Sequence, residues 1–406
     1  MPGLGRQRDF RLLWGGQSVS EVGSQVTTLA FPLVAVEVLG ASAFEVGVLT
    51  ACSTAAFLLM GLPAGAWVDR LRRRRVMMAA DLGRMAAVGS IPVAYALGGL
   101  TLVQLYVTAL AAGILTVFFD VAYQSYLPGL VGPERLVEGN AKLAGSAQVA
   151  QVAGPSMAGV LVQTLGGPVA VAVDAASFLV SSLTLATIAT PEAAPDPPAH
   201  DGLRAQIGEG LGFVLGHRTL RAIAGCTGTS NLFSSMMAAV EVVFLVRVIH
   251  VRAGIIGLLF AAGGIGGVAG ALTASSVARR IGGVRATLAG MAVTSGGLVI
   301  PLTGRGAGVV LFAVGSFFLG FGAVVYNINQ VSFRQRLCPP ALLGRMNATM
   351  RFLVWGEMPI GALIGGALAS GIGLRDTLWV GAVGQVLAII WLLASPMRSQ
   401  RDFPET

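Results

Sequence analysis

The chain is 406 residues long, 54% hydrophobic and only 11% charged, with a formal net charge of +8. A soluble domain carries roughly a quarter of its residues as Asp, Glu, Lys and Arg, so this composition excludes a water-soluble enzyme or binding module. The basic residues sit in short loops between apolar stretches rather than on one face, so no nucleic acid is expected as a partner.

Apolar stretches of about 20 residues, enough to cross a hydrocarbon core of ~30 Å, recur along the whole chain. In order they are Leu12–Leu39, Glu45–Trp67, Val76–Leu97, Leu100–Phe119, Asn140–Leu165 and Val169–Ile188. A second set runs Leu220–Val248, Gly254–Val277, Arg285–Thr303, Gly306–Tyr326, Asn347–Ala369 and Leu374–Ala394. The first follows Arg6, Arg8 and Arg11 as a signal peptide would, but it is too long and has no convincing cleavage site, so it reads as a retained helix. The expectation is an all-α membrane protein of twelve transmembrane helices. Lys and Arg concentrate on one side of these spans, including Arg70 to Arg75, Arg204, Arg279, Arg280, Arg334 and Arg345, while the other side has only Arg247, Arg252, Arg305 and Arg375. By the positive-inside rule the first side is cytoplasmic and holds both termini of a multi-pass protein of the cell inner membrane.

Thr190–Gly202, with Pro191, Pro195, Pro197 and Pro198, is too polar and proline-rich to span. Leu203–Gly216 then reads as a short amphipathic helix. Residues 1–189 and 218–406 are therefore expected as two six-helix bundles joined by the cytoplasmic linker 190–217. Shifting the chain by about 210 residues aligns them: Arg11 falls on Arg221, Ser20 on Ser230 and Gly47 on Gly257; a slightly shorter shift puts Asn140 on Asn347 and Gly159 on Gly366.

The string Gly65-Ala66-Trp67-Val68-Asp69-Arg70-Leu71-Arg72-Arg73-Arg74 resembles the signature of the major facilitator superfamily between its second and third helices. It departs at Arg72, where the family usually has glycine, and Arg279 replaces the acid in the second-half copy. An aspartate among arginines can form a charge network that latches helix ends, so Gly65, Asp69, Arg70, Arg73 and Arg74 are candidates for a cytoplasmic gate, with Asp120 at the end of the fourth span. An inside anchor of arginines is the plainer reading. Gly154, Pro155 and Gly159 in the fifth span are similar to the antiporter motif of exporters in this superfamily, although close helix packing alone would also use them. Tyr126-Leu127-Pro128 and Asp174-Ala175-Ala176-Ser177-Phe178 look like the transmembrane secretion effector branch, which includes macrolide efflux permeases and enterobactin exporters. The resemblance implies the major facilitator fold, a monomer, and export of an amphipathic small molecule (drug, antibiotic or siderophore) by proton antiport. A lipid or lysophospholipid flippase, or an uptake permease of the same fold, is the alternative.

An ionisable group at the centre of a membrane helix costs ~2.5–3.5 kcal/mol on insertion scales and needs a reason. Gln17, Glu21, Ser24 and Gln25 share a face of the first span, and Asn231, Ser234 and Glu241 form a stripe on the seventh. In the superfamily these helices line the central cavity, which makes Gln17, Ser24, Gln25, Asn231 and Glu241 candidates for substrate contact, with Tyr326 and Asn327 at the end of the tenth span. Glu21, near the midplane, is the leading candidate for carrying a proton; Glu357 in the eleventh span is the second. Asp81 is a third, but it lies three residues from Arg84 and the two read first as a self-compensated pair. No Walker sequence surrounds the lone Lys142, no zinc-protease pattern is present, and the three cysteines and three histidines are scattered, so neither an enzyme nor a metal or cofactor site is expected.

Overall fold

The computed structural model describes residues 4–61, 63–68, 70–192, 203–339 and 342–402. Among these, eleven helical stretches are long and apolar enough to cross a membrane. The thirty-residue helix Leu136–Leu165 stands in chain order where the fifth of twelve spans is expected, carrying Glu138 and Lys142 in its first turns. In hydrocarbon every backbone N–H and C=O must be satisfied within the protein, which a helix does locally. The surface follows the same solvent: Leu97, Val103 and Leu272 are 81%, 67% and 77% exposed, whereas Asp81 and Asp174 are 0% and 1% exposed.

The chain divides into two compact units. Unit 1 comprises Met1–Ala41, Cys52–His200 and Arg252–Gly257, and unit 2 comprises Ser42–Ala51, Asp201–Val251 and Leu258–Thr406. Each therefore borrows the first turns of a helix that otherwise belongs to the other.

Unit 1 contains α1 (Arg8–Leu33), most of α2 (Ala43–Met60), α3 (Pro63–Val68), α4 (Arg73–Ala96), α5 (Leu102–Val131), α6 (Leu136–Leu165) and α7 (Gly167–Ala186). α1 lies between α6 and α7, and α4 between α5 and α7. Phe10, Leu13, Met77, Phe119, Leu127 and Leu185 meet in one apolar core. Gly154 brings α6 onto α1: a β-carbon there would stand 2.3 Å from Cβ of Gln25.

Unit 2 contains α8 (Leu203–Gly216), α9 (Arg218–Phe244), α10 (Ala253–Ile281) beyond its first turn, α11 (Gly283–Val293), α12 (Val310–Leu337), α13 (Leu343–Trp355), α14 (Met358–Ile372), α15 (Leu374–Leu387) and α16 (Ile390–Leu393). α9 is its axis, packed on α14 and α15, while α12 packs on α11 and on the 3₁₀ stretch Thr294–Leu302 that continues it. The glycines of α10 serve packing: a β-carbon on Gly266 would lie 2.0 Å from the Phe317 carbonyl, and one on Gly320 2.1 Å from that of Gly263.

The internal repeat is visible in geometry. α1 ends in a π-helical turn, Val34–Val38, and α9 in another, Leu245–Ile249. Gly166 between α6 and α7 and Gly373 between α14 and α15 have φ of +86° and +95°. This region of backbone space is open to glycine, and it lets the chain reverse with almost no loop.

The eleventh span is not the continuous helix expected. It breaks at Gly356-Glu357 between α13 and α14. Pro359 has no N–H to give to the preceding turn. Side chains of α9 take up the difference: Asn231 Nδ2 donates to the Val354 carbonyl at 2.8 Å and Ser235 Oγ to that of Met358 at 2.7 Å.

Candidate functional site

Unit 2 has a cavity of about 220 Å³ between α9, α10, α12 and α15. Glu241 lines it, with Ser234 two turns earlier on α9, Ser316 from α12 and Gln385 from α15. Met237 and the Phe260 ring supply apolar wall. Gly263 and Gly320, where α10 and α12 cross with their backbones close, complete the wall with Ala238 and Leu319. The arrangement offers a carboxylate and three neutral polar groups beside a thioether and an aromatic face, a lining suited to a molecule with a polar or cationic group on an apolar body.

The rest of the α9 stripe is engaged in the protein itself. Asn231 holds the Val354 carbonyl, and Thr227 shares a 2.7 Å hydrogen bond with the hydroxyl of Tyr326, which is 5% exposed within an apolar core. Asn327, next on α12, is exposed and accepts from Gln330 at 2.8 Å. Glu357 sits at the helix break facing α9, and its Oε1 lies 2.6 Å from where a β-carbon on Gly228 would stand.

In unit 1 the first-span stripe is half-buried, and Gln17 Nε2 donates to Glu21 Oε1 at 3.1 Å. The Ser24 carbonyl accepts from Thr28, and Gln25 packs against Gly154. Gly159 and the Pro155 carbonyl abut the first turn of α10: a β-carbon on Gly159 would meet the Ala253 carbonyl at 2.5 Å, and one on Gly257 the Pro155 carbonyl at 2.3 Å. The antiporter-like motif is thus a site of backbone-to-backbone helix contact.

Asp81 and Arg84 form a buried ion pair. The guanidinium lies between two rings, 4.5 Å from the centroid of Phe119 and 4.3 Å from that of Phe178. Asp174 is one turn from Phe178 on α7 and accepts from Ser177 at 3.2 Å. Composition singles out this acid within an apolar span, and Ser177 and Ser181 follow at helical spacing, yet sequence reasoning used Asp174 only as part of a family resemblance.

At the expected gate, Asp69 lies outside the described residues. Gly65 is in α3, Arg70 is exposed, and Asp120 is half-buried on α5. The backbone N–H groups of Arg73 and Arg74 donate to the carboxylate of Glu192, which so caps the first turn of α4. Arg74 in turn donates from Nε to the Leu185 carbonyl at 2.8 Å and from Nη2 to that of Ala186, closing the C-terminus of α7. Glu192 was not foreseen, because nothing local in a proline-rich linker marks a residue that caps a helix 119 positions away.

The sequence model of the Major Facilitator Superfamily matches residues 13–350. The multidrug efflux pump Tap of Mycolicibacterium fortuitum is 30% identical over 367 residues, covering 87% of this chain and 88% of its own. The enterobactin exporter EntS of Citrobacter koseri is 26% identical, over 91% of this chain and 86% of its own. Among solved structures, a bacterial homologue of the iron transporter ferroportin in an inward-facing state superposes with a TM-score of 0.78 at 17% identity, covering 97% of this chain and all of that one. The nucleoside transporter NupG gives 0.74 at 13% identity, covering 97% of this chain and 99% of its own.

Proposed function

Because the chain belongs to the Major Facilitator Superfamily, a family of membrane transporters rather than enzymes, we propose that it exports an amphipathic organic molecule by proton antiport and alternating access. The observation that carries this reading is the Glu241 cavity, with one carboxylate, neutral polar groups and an apolar wall in a single recess. Relatives named as a multidrug efflux pump and an enterobactin exporter support the direction of transport. Glu241 is assigned to the polar or cationic end of the substrate, with Ser234 and Gln385 beside it. Asn231 and Tyr326 are engaged in the protein itself, through their bonds to Val354 and Thr227. Glu21 and Glu357 are assigned to proton movement, the first oriented by Gln17 and the second placed at a helix break. One chain is taken to hold the whole pathway, with both termini assigned to the cytoplasm on the arginine distribution.

The test is the purified protein in liposomes, screened with lipophilic amines, other antibiotics and siderophores while the internal pH is recorded. Substrate-dependent proton movement that a protonophore abolishes is the expected result. Substrate movement without protons would overturn the coupling, and movement of labelled lysophospholipid alone would replace the substrate class.

A further inference from the structure

Unit 1 encloses two carboxylates and one guanidinium. Asp81, Arg84 and Asp174 are 0%, 4% and 1% exposed, so none of the three draws on bulk water. A buried charge is tolerated when paired and is costly when alone. Arg84 is paired with Asp81 on its own helix, and its remaining contacts are the two phenyl faces and the Thr116 hydroxyl at 3.4 Å. Asp174 is hydrogen-bonded by Ser177 on its own helix, and the cation whose charge reaches it is Arg84.

The neighbouring elements bring acids and neutral polar groups toward the cluster. From α5 come Asp120 and Tyr123, from α1 Gln17 and Glu21, and from α7 itself Ser177 and Ser181. The π-helical turn after α1 adds Glu37, which is exposed. α6 has Glu138 and Lys142 near its start, and these are 3.8 Å apart and pair with each other.

The room for Asp174 is made by α1. A β-carbon on Gly23 would stand 2.7 Å from Asp174 Oδ1 and 2.3 Å from Ser177 Oγ. α1 also carries Glu21 two residues earlier, so the helix that meets the substrate stripe touches the enclosed acid directly. Arg84 leaves Nε without a hydrogen-bond partner and Asp81 leaves Oδ2 without one, so the pair is not saturated.

We propose that Asp81, Arg84 and Asp174 form a proton-binding site in unit 1, in which one proton is held between two carboxylates that share one guanidinium, resident on Asp174 while Arg84 faces Asp81. When Arg84 turns to Asp174, the proton leaves that carboxyl as the new ion pair forms, and Asp81 accepts a proton in its place; the net charge of the cluster stays at zero throughout. A role for this exchange in transport rests on the antiport reading above, but the resident proton does not.

Infrared difference spectroscopy on the full-length protein in lipid vesicles at neutral pH tests the site. The wild type is expected to show a protonated-carboxyl C=O band that Asp174→Asn removes; Asn has the shape of the protonated acid and leaves the Asp81–Arg84 pair intact. Asp81→Asn is expected to remove the same band, because Arg84 then neutralises Asp174, whereas Arg84→Lys retains it. In the liposome assay, Asp174→Asn is expected to lower protons moved per substrate at least tenfold while substrate still crosses. A wild-type band unaffected by Asp174→Asn, or one that survives Asp81→Asn, overturns the proposal. A wild type that moves substrate without protons but shows the band defeats the antiport reading and leaves the site standing.

Discussion

The two units build the same helix crossing and fill it in opposite ways. In unit 1, Gly23 on α1 makes a hollow into which Asp174 and Ser177 of α7 project. In unit 2 the repeat-equivalent pair is reversed: Phe233 and Met237 on α9 project toward Gly384 and Gly381 of α15. A β-carbon on Gly384 would meet the Phe233 ring at 2.4 Å, and one on Gly381 Met237 Cγ at 2.4 Å. The first crossing seals polar groups away; the second is apolar and leaves its acid, Glu241, one turn beyond in an open recess. A repeat preserves the packing problem of two helices and their allowed separation, while the choice of which helix supplies the bulk is free. That choice is enough to make one half enclose its charged groups and the other leave a carboxylate lining a cavity.

The sharpest way to break the comparison is Arg84→Ala. It leaves the enclosed acids without a cation, and removing one partner of a buried ion pair costs about 3–5 kcal/mol; thermal unfolding in lipid should show a large fall, and an unchanged midpoint would show that the cluster is not closed. Next is Glu241→Gln, which should leave unfolding unchanged but weaken transport of cationic compounds. A hydrogen bond to a charged group contributes about 1.5–3 kcal/mol, roughly a 10- to 100-fold change, to be read as apparent affinity, with neutral compounds less affected. Gly23→Ala against Gly381→Ala tests the reversal directly. The first drives a methyl into two polar groups and should cost about 1–3 kcal/mol, while the second meets a flexible methionine that moves aside for less; equal losses would sink the distinction. Smallest is Asn231→Ala, expected to cost about 1 kcal/mol by freeing the Val354 carbonyl at the helix break, measured as unfolding free energy with proton coupling intact.

Much of this was legible in the chain. The apolar runs and the glycine coincidences between halves carry the family fold, since span length and small-residue spacing are local properties that hydrocarbon reads directly. Gly154, Pro155 and Gly159 are close-approach positions in the structure, as either reading of that motif implied. Other residues could not be read this way. Asn231 and Glu241 share one stripe of α9, yet one holds a broken helix and the other lines a cavity, because the break at Gly356-Glu357 lies 123 positions from Asn231 at its bonded partner. Asp81 was legible as a partner of Arg84, three residues on; that Phe119 and Phe178 enclose the guanidinium required the packing of three helices.

The sequence by itself determined the solvent and the helical class, because each depends on composition and periodicity within about 20 residues. Tertiary structure decided which polar residues are spent on the protein and which line a cavity. Burial and partnership belong to pairs of helices brought together from distant parts of the chain, and a carboxylate on one helix face has the same local pattern whether an arginine or an open cavity stands opposite.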